Sequence, residues 1–223
     1  MIRAVLFDLH GTLAYVKNPV SDFEISDYLF SRGYEVSPQQ LRAAWFYVSM
    51  IDYPKYGYKS WRSYFSRIFW RLRVKVDKET LDWIVGLVSS GPYRLYPDAA
   101  EAVIKAKENG LKTAIVTTIA YFQFKEAIQP IKNYINFVMT GYEAKCDKSN
   151  PKMYRKILEI LRVKPEEAAM IGDNIPIDII LPKKLGIKTI LLNRSKKKIE
   201  CKQADVIVNN LKQAIEAITT HLI

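Results

Sequence analysis

Short apolar runs recur along this chain with amphipathic stretches between them: Ala4-Val5-Leu6-Phe7, Thr113-Ala114-Ile115-Val116, Phe137-Val138-Met139, Ala169-Met170-Ile171, Thr189-Ile190-Leu191-Leu192 and Val206-Ile207-Val208. Unbroken apolar runs suit strands covered on both faces. Their alternation with helical stretches predicts a parallel sheet in a doubly wound, Rossmann-like α/β core. Helix signals agree: Pro97-Asp98 opens a segment that stops at Asn109-Gly110, Asn150-Pro151 opens another, and Pro165-Glu166-Glu167 opens a short one.

Roughly a hundred residues separate the first two runs, far more than the dozen or so a single crossover helix requires. The surplus predicts a separate all-α unit inserted over residues 15–92, with 1–14 and 93–223 forming the core domain. Within the insertion Ser37-Pro38-Gln39-Gln40 reads as a capping box, and Asp77 as a cap before Leu81, Ile84, Val85 and Val88. Trp61, Tyr64, Phe65, Ile68 and Phe69 fall on one helical face. All four tryptophans (Trp45, Trp61, Trp70, Trp83) lie here, and the expectation is that these aromatics form the insertion's own core and its seam with the main domain. Tyr53, Tyr56 and Tyr58, in a loop with Pro and Gly, are candidates to face a substrate.

Composition narrows the function classes. Hydrophobic residues make up 49% of the 223 positions, enough for a real interior. No run of about 18 apolar residues occurs, so no membrane span is expected. The N-terminal stretch reaches Asp8 too early for a signal peptide, and a cytoplasmic protein is expected. Cys146 and Cys201 lie far apart and form no metal-ligand pattern with His10 and His221, which disfavours a disulfide framework or a zinc site. The formal charge of +11 raises nucleic acid as a partner. The lysines are scattered, however, and the densest run, Arg194-Ser195-Lys196-Lys197-Lys198, reads as a solvated loop, so nucleic acid is not the expected partner. A positive field would equally draw in a small phosphorylated substrate. Nothing in the pattern sets an oligomeric state.

The candidate chemistry gathers at strand ends. Asp8 follows the first run, and in an open parallel sheet the ligand crevice lies beyond the carboxyl ends of the strands. If extended geometry persists past Asp8, the side chains of positions 8 and 10 point the same way. Gly11 permits a tight departure of the backbone, and Thr12 offers a hydroxyl to fix the loop. Thr117 and Thr118 end the second run. Gly172-Asp173-Asn174 ends the fourth, with Asp178 five residues after Asp173, and Lys148 precedes Asn150-Pro151. Two carboxylates suffice to hold magnesium against a phosphate, and Asp8 with Asp173 would supply them. Each residue also has a plainer reading. An aspartate at a strand end often caps a turn, Thr117 suits a strand for its own sake, Asp178 could cap a helix, and Lys145 competes with Lys148.

In their order and spacing these residues resemble the four motifs of the haloacid dehalogenase-like (HAD) hydrolase superfamily. Asp8-Leu9-His10-Gly11-Thr12-Leu13 is similar to the first, Thr117 to the second, Lys148 with Pro151 to the third, and Gly172-Asp173-Asn174-Ile175-Pro176-Ile177-Asp178 to the fourth. The insertion lies where that family's type-1 helical cap lies. The resemblance implies covalent attack by Asp8 and a magnesium ion held by Asp8, Asp173 and the backbone carbonyl of His10. It further implies that Thr117, with Thr118, and Lys148 grip the transferred group, and that Thr12, Asn174 and Asp178 support them. The expected activity is hydrolysis of a small phosphorylated metabolite. One position departs from the family's phosphatases, which carry aspartate as general acid two residues after the nucleophile, where this chain has His10. Imidazole changes charge near neutral pH, which suits proton transfer. His10 is thus either the acid-base or a spacer, and a 2-haloacid dehalogenase or a low-turnover binding protein on the same fold remain the alternatives.

Overall fold

A computed structural model describes residues 1–195 and 200–220. Lys196, Lys197, Lys198 and His221 lie outside the described residues. All six apolar runs form strands: β1 (Ala4–Phe7), β4 (Lys112–Val116), β5 (Phe137–Met139), β6 (Ala168–Gly172), β7 (Lys188–Leu192) and β8 (Val206–Val208). They build one parallel sheet in the order β5-β4-β1-β6-β7-β8. Because side chains alternate across a strand, β1 sends Val5 and Phe7 to one face and Ala4 and Leu6 to the other, and all four are fully buried. Helices α6 (Ala99–Glu108) and α11 (Leu211–Thr219) cover the first face, and α9 (Pro151–Leu161) covers the second with Met153, Tyr154, Ile157 and Leu158. This two-sided burial is why the runs carry no polar alternation.

Short helices α7 (Tyr121–Phe124), α8 (Gly141–Ala144) and α10 (Leu181–Lys184) turn the chain between strands, and Pro165–Glu167 forms a 3-10 turn. Asn150 caps α9 by accepting from the Lys152 amide. The central strand β1 lies between β4 and β6, with Phe7 abreast of Ile115 and Ile171. Asp8, Thr117 and Asp173 therefore emerge at one edge of the sheet.

Between residues 17 and 92 the chain forms five α-helices: α1 (Asp22–Ser31), α2 (Pro38–Tyr47), α3 (Tyr53–Tyr56), α4 (Trp61–Leu72) and α5 (Lys78–Ser90). A π-helical turn, Val48–Asp52, joins α2 to α3. Ser37 completes the capping box of α2, and Asp77 caps α5 by accepting from the Thr80 amide. The unit is entered and left through an antiparallel two-stranded ribbon, β2 (Ala14–Val16) with β3 (Tyr93–Leu95), which the hydrophobic pattern did not foretell. Residues 15 and 16 are thus strand, not helix. β3 is interrupted by the exposed Arg94, and β2 becomes a strand only against that distant partner.

Tyr64, Phe65, Ile68 and Phe69 form the buried centre of this helical unit, with Trp45 and Trp61 half-buried beside them. Trp70 departs from the expectation, since it is 64% exposed and its ring lies under the Arg67 guanidinium at 4.0 Å. Trp83 lies at the surface, stacked on Tyr28. Of the three tyrosines expected in a loop, Tyr53 and Tyr56 lie in α3; Tyr53 is buried, donating to Thr140 Oγ1 at 2.9 Å and so tying the insertion to the core. Tyr56 is exposed near Arg67, and Tyr58 packs against Tyr64.

The insertion's buried charge is Asp52, which accepts from Arg67 Nε at 2.7 Å and from Arg71 Nε and Nη2 at 2.6 and 2.8 Å. Burial alone would raise its pKa, but the Arg71 and Arg67 hydrogen bonds outweigh that and hold it below the usual carboxylate range. A group whose folded pKa is depressed contributes stability above its unfolded pKa and loses it as pH falls through the folded value. Asp52→Asn is therefore expected to cost about 2 kcal/mol near neutral pH, less than the 3–5 typical of fully buried pairs because both arginines reach solvent. The gap between wild type and variant should narrow in urea unfolding curves taken toward about pH 3. A gap that is constant over that range would show that the pair does not stabilise the fold through charge.

Candidate active site

The loop after β1 is wound tightly: the amides of Thr12 and Ala14 donate to the Leu9 carbonyl, and the Gly11 amide donates to the Ala14 carbonyl. Gly11 sits at φ +84°, and a Cβ there would lie 2.2 Å from Asp173 Oδ2. Glycine is thus needed both for the left-handed turn and for the close approach of Asp173. Gly172, at the end of the neighbouring strand β6, serves close approach alone, since a Cβ there would meet the Asp178 carboxyl at 2.3 Å.

These contacts bring Asp8, Asp173 and Asp178 together, with one carboxylate oxygen of each within 4.8 Å of the others. Lys148 Nζ donates to Asp8 Oδ1 at 2.5 Å and forms an ion pair with Asp178 Oδ1 at 2.7 Å. Lys145, the competing lysine, is in a left-handed turn with its ammonium over the Tyr142 ring at 3.4 Å, directed at that ring. The Lys148 amide donates to Thr118 Oγ1 at 3.0 Å, so Thr118 fixes the segment that carries the ammonium. Thr117 is buried at the end of β4, where its hydroxyl accepts from the Ile119 amide at 3.2 Å. Asn174 caps the π-helical turn Ile175–Ile180, and its amide donates to Asp178 Oδ2 at 3.1 Å. The Thr12 side chain is fully buried with an unpartnered hydroxyl. His10 is exposed at the mouth, its ring edge-on to Tyr93 with centroids 5.7 Å apart.

Electrostatics follow from this crowding. Burial raises the Asp8 pKa, with Lys148 opposing and Asp173 adding to the rise. Burial likewise pushes Asp178 up to about 6 against the pull of Lys148. Asp173 reaches solvent at the mouth, yet the crowding around it and the Asp178 charge raise its pKa as well. Burial would lower the Lys148 pKa, but Asp178 and Asp8 more than offset this and keep the ammonium charged. Three carboxylates against one ammonium leave an excess of negative charge. An all-oxygen donor set with such an excess fits a hard divalent cation.

Two further residues hold the site, and the pattern along the chain hid both. Arg194, expected in a solvated loop, is half-buried. It donates to the carbonyls of Gly11 at 3.3 Å and Thr12 at 2.7 Å, and pairs bidentately with Asp98 at 2.9 and 3.2 Å. Its guanidinium also lies over the Tyr96 ring at 3.8 Å. Asp98 in turn accepts from the Leu211 amide, linking the loop to α6 and α11. A planar fork that serves two carbonyls and a carboxylate is a task for arginine, but no local signal set Arg194 apart from the lysines that follow it.

No helix of the described residues is long and apolar enough to cross a membrane. The chain is 30% identical over 131 residues to a glyceraldehyde 3-phosphate phosphatase of Pyrococcus furiosus, covering 56% of this chain and 55% of that protein. It spans about half the length of the curated relatives it matches first. Among solved structures it superposes on a HAD phosphatase from Thermococcus onnurineus with a TM-score of 0.67 at 21% identity, covering 97% of this chain and 98% of that one. A 2-haloacid dehalogenase from Pseudomonas syringae pv. Tomato DC3000 gives 0.72 at 16% identity, covering 99% and 100%. At such identities these superpositions speak for the fold alone. The family model described as haloacid dehalogenase-like hydrolase matches residues 2–186, which span the insertion, all three clustered carboxylates and Lys148, and the chain belongs to that hydrolase family.

Proposed function

We propose that this chain is a magnesium-dependent phosphate-monoester hydrolase with Asp8 as nucleophile. The observation that carries the reading is the carboxylate cluster, in which the negative charge of Asp8, Asp173 and Asp178 exceeds that of Lys148 at the point where a substrate would be attacked. A dianionic phosphate would be repelled from such a site without a cation, whereas carbon–halogen displacement has no such requirement. Magnesium held by Asp8, Asp173 and the His10 carbonyl would screen that repulsion and draw charge from the phosphate oxygens.

In the first step an Asp8 oxygen bonds to phosphorus as the bond from phosphorus to the leaving oxygen breaks, and His10 gives that oxygen a proton. Water then attacks the aspartyl phosphate while His10 takes a proton from it, releasing inorganic phosphate and restoring Asp8. Lys148, already 2.5 Å from Asp8, and Thr117 hold the transferred phosphoryl group. Asp178 positions Lys148, and Asn174 fixes the loop after β6. The loop after β1 is held through the Thr12 backbone carbonyl and Arg194, and not, as expected, by the Thr12 hydroxyl, which has no partner among the described residues.

Turnover of phosphate monoesters should require magnesium and collapse in excess EDTA, and Asp173→Asn should depress it with a raised magnesium requirement. Full activity in EDTA would end the metal reading. Asp8→Asn keeps the side-chain shape while removing the attacking charge. It is expected to abolish turnover while circular dichroism and thermal melting still report a folded protein. An active Asp8→Asn enzyme would refute covalent attack.

His10 is tested by leaving-group dependence. His10→Ala should lower kcat by about 10²-fold or more on alkyl phosphates, whose leaving oxygen needs a proton, and by much less on activated aryl phosphates. Equal rates for wild type and variant on both ester classes would reduce His10 to a spacer. His10→Asp, which restores the family's usual acid, should keep activity on alkyl esters.

A further inference from the structure

A cavity of about 500 Å³ lies between the helical insertion and the core, within the range of about 300–1,000 Å³ usual for small-molecule sites. It adjoins the carboxylate cluster: Thr118, which fixes Lys148, and Tyr93, whose ring meets His10 edge-on, both line it. Its far walls are aromatic. Trp61 and Phe122 stand perpendicular with centroids 5.2 Å apart, and Trp45 and Tyr64 flank Trp61 edge-on at 6.3 and 5.9 Å. The Tyr64 hydroxyl is engaged by Ser49 at 2.5 Å, so the ring, not its polar tip, is what the cavity offers.

The charge of the lining is equally specific. Among the described residues no lysine, arginine or histidine lines the cavity, and the one carboxylate in its lining is Glu126, at the exposed rim. A second anionic group carried by a substrate would have to shed water without meeting a cation, which is costly. An apolar ring would lose only unfavourable hydration and gain edge-to-face contacts with Trp61 and Phe122.

From this lining we infer that the cavity receives the alcohol portion of the substrate, and that this portion is an uncharged, ring-bearing apolar group. The inference rests on the phosphatase reading for the phosphoryl end and adds the class of the leaving group. It separates this chain from enzymes whose substrates carry a second phosphate or a carboxylate beside the scissile ester.

The test compares benzyl phosphate, ethyl phosphate and pyrophosphate with the magnesium-loaded enzyme; both esters leave as alkyl alcohols, so the comparison reads binding of the ring. Wild type is expected to favour benzyl over ethyl phosphate by at least about tenfold in kcat/KM, with pyrophosphate the poorest. Ala127→Phe, which fills the cavity from the core side, and Phe122→Leu, which removes a ring from its wall, should each bring the benzyl-to-ethyl ratio toward one. Saturation-transfer NMR should show benzyl alcohol bound to wild type and not to Ala127→Phe. Equal efficiency on the two esters, a ratio unmoved by Ala127→Phe, or preference for pyrophosphate would each overturn the inference while leaving a phosphatase standing. Benzyl alcohol binding that Ala127→Phe abolishes, in a protein that hydrolyses neither ester, would instead overturn the phosphatase reading and keep the cavity's assignment. Absence of both turnover and binding would overturn both.

Discussion

The buried ammonium of Lys148 stands between Asp8, at 2.5 Å, and Asp178, at 2.7 Å, and the arrangement around it depends on that contact. Desolvation drives both carboxylates toward the neutral acid, and the Lys148 charge opposes that drive at each of them. On the proposed reading Asp8 attacks as the ionised form, and Lys148 is the group that favours that form against burial. The ammonium sits on the loop before α9, Asp8 after β1 and Asp178 in the turn after β6, so one interaction draws three segments to the same edge of the sheet.

Around this contact the backbone is fitted to close tolerances. Gly11 and Gly172 admit the carboxyl groups of Asp173 and Asp178 to places that any Cβ would block. Arg194 then clamps the Gly11 and Thr12 carbonyls and anchors them to Asp98, which also caps the approach to α11 through the Leu211 amide. The loop that carries His10 is thus held from outside by a guanidinium whose donors are spread over two carbonyls and one carboxylate. Such a clamp restrains the loop, as the proposed orientation of a phosphoryl group would require.

The helical insertion serves two ends with one aromatic cluster. Tyr64, Phe65, Ile68 and Phe69 give it a core of its own, while Trp45, Trp61 and the ring of Tyr64 also face the cavity shared with the main domain. Tyr53 binds Thr140 across the seam, so the insertion is seated on the segment after β5 as well as through the β2–β3 ribbon. The same side chains that keep the insertion folded therefore set the polarity of the space beside Asp8.

The amino-acid sequence by itself determined the features that depend on neighbours within a turn or a strand. The six apolar runs became the six parallel strands because two-sided burial leaves an unbroken apolar record, and Ser37, Asp77 and Asn150 cap helices because each bonds an amide two or three residues ahead. Asp8, Thr117 and Asp173 were legible for the same reason, each directly following a readable strand. The spacing to Pro151 favoured Lys148 over Lys145, and tertiary structure decided the choice by turning the Lys145 ammonium onto the Tyr142 ring and the Lys148 ammonium onto Asp8. Tertiary structure also separated Arg194 from its basic neighbours, paired β2 with β3, and turned Trp70 out to solvent while keeping Trp61 in. Arg194 and Gly11 are 183 positions apart, and a contact of that kind leaves no periodicity in the chain. It exists only once the sheet has placed both ends of the sequence at one edge.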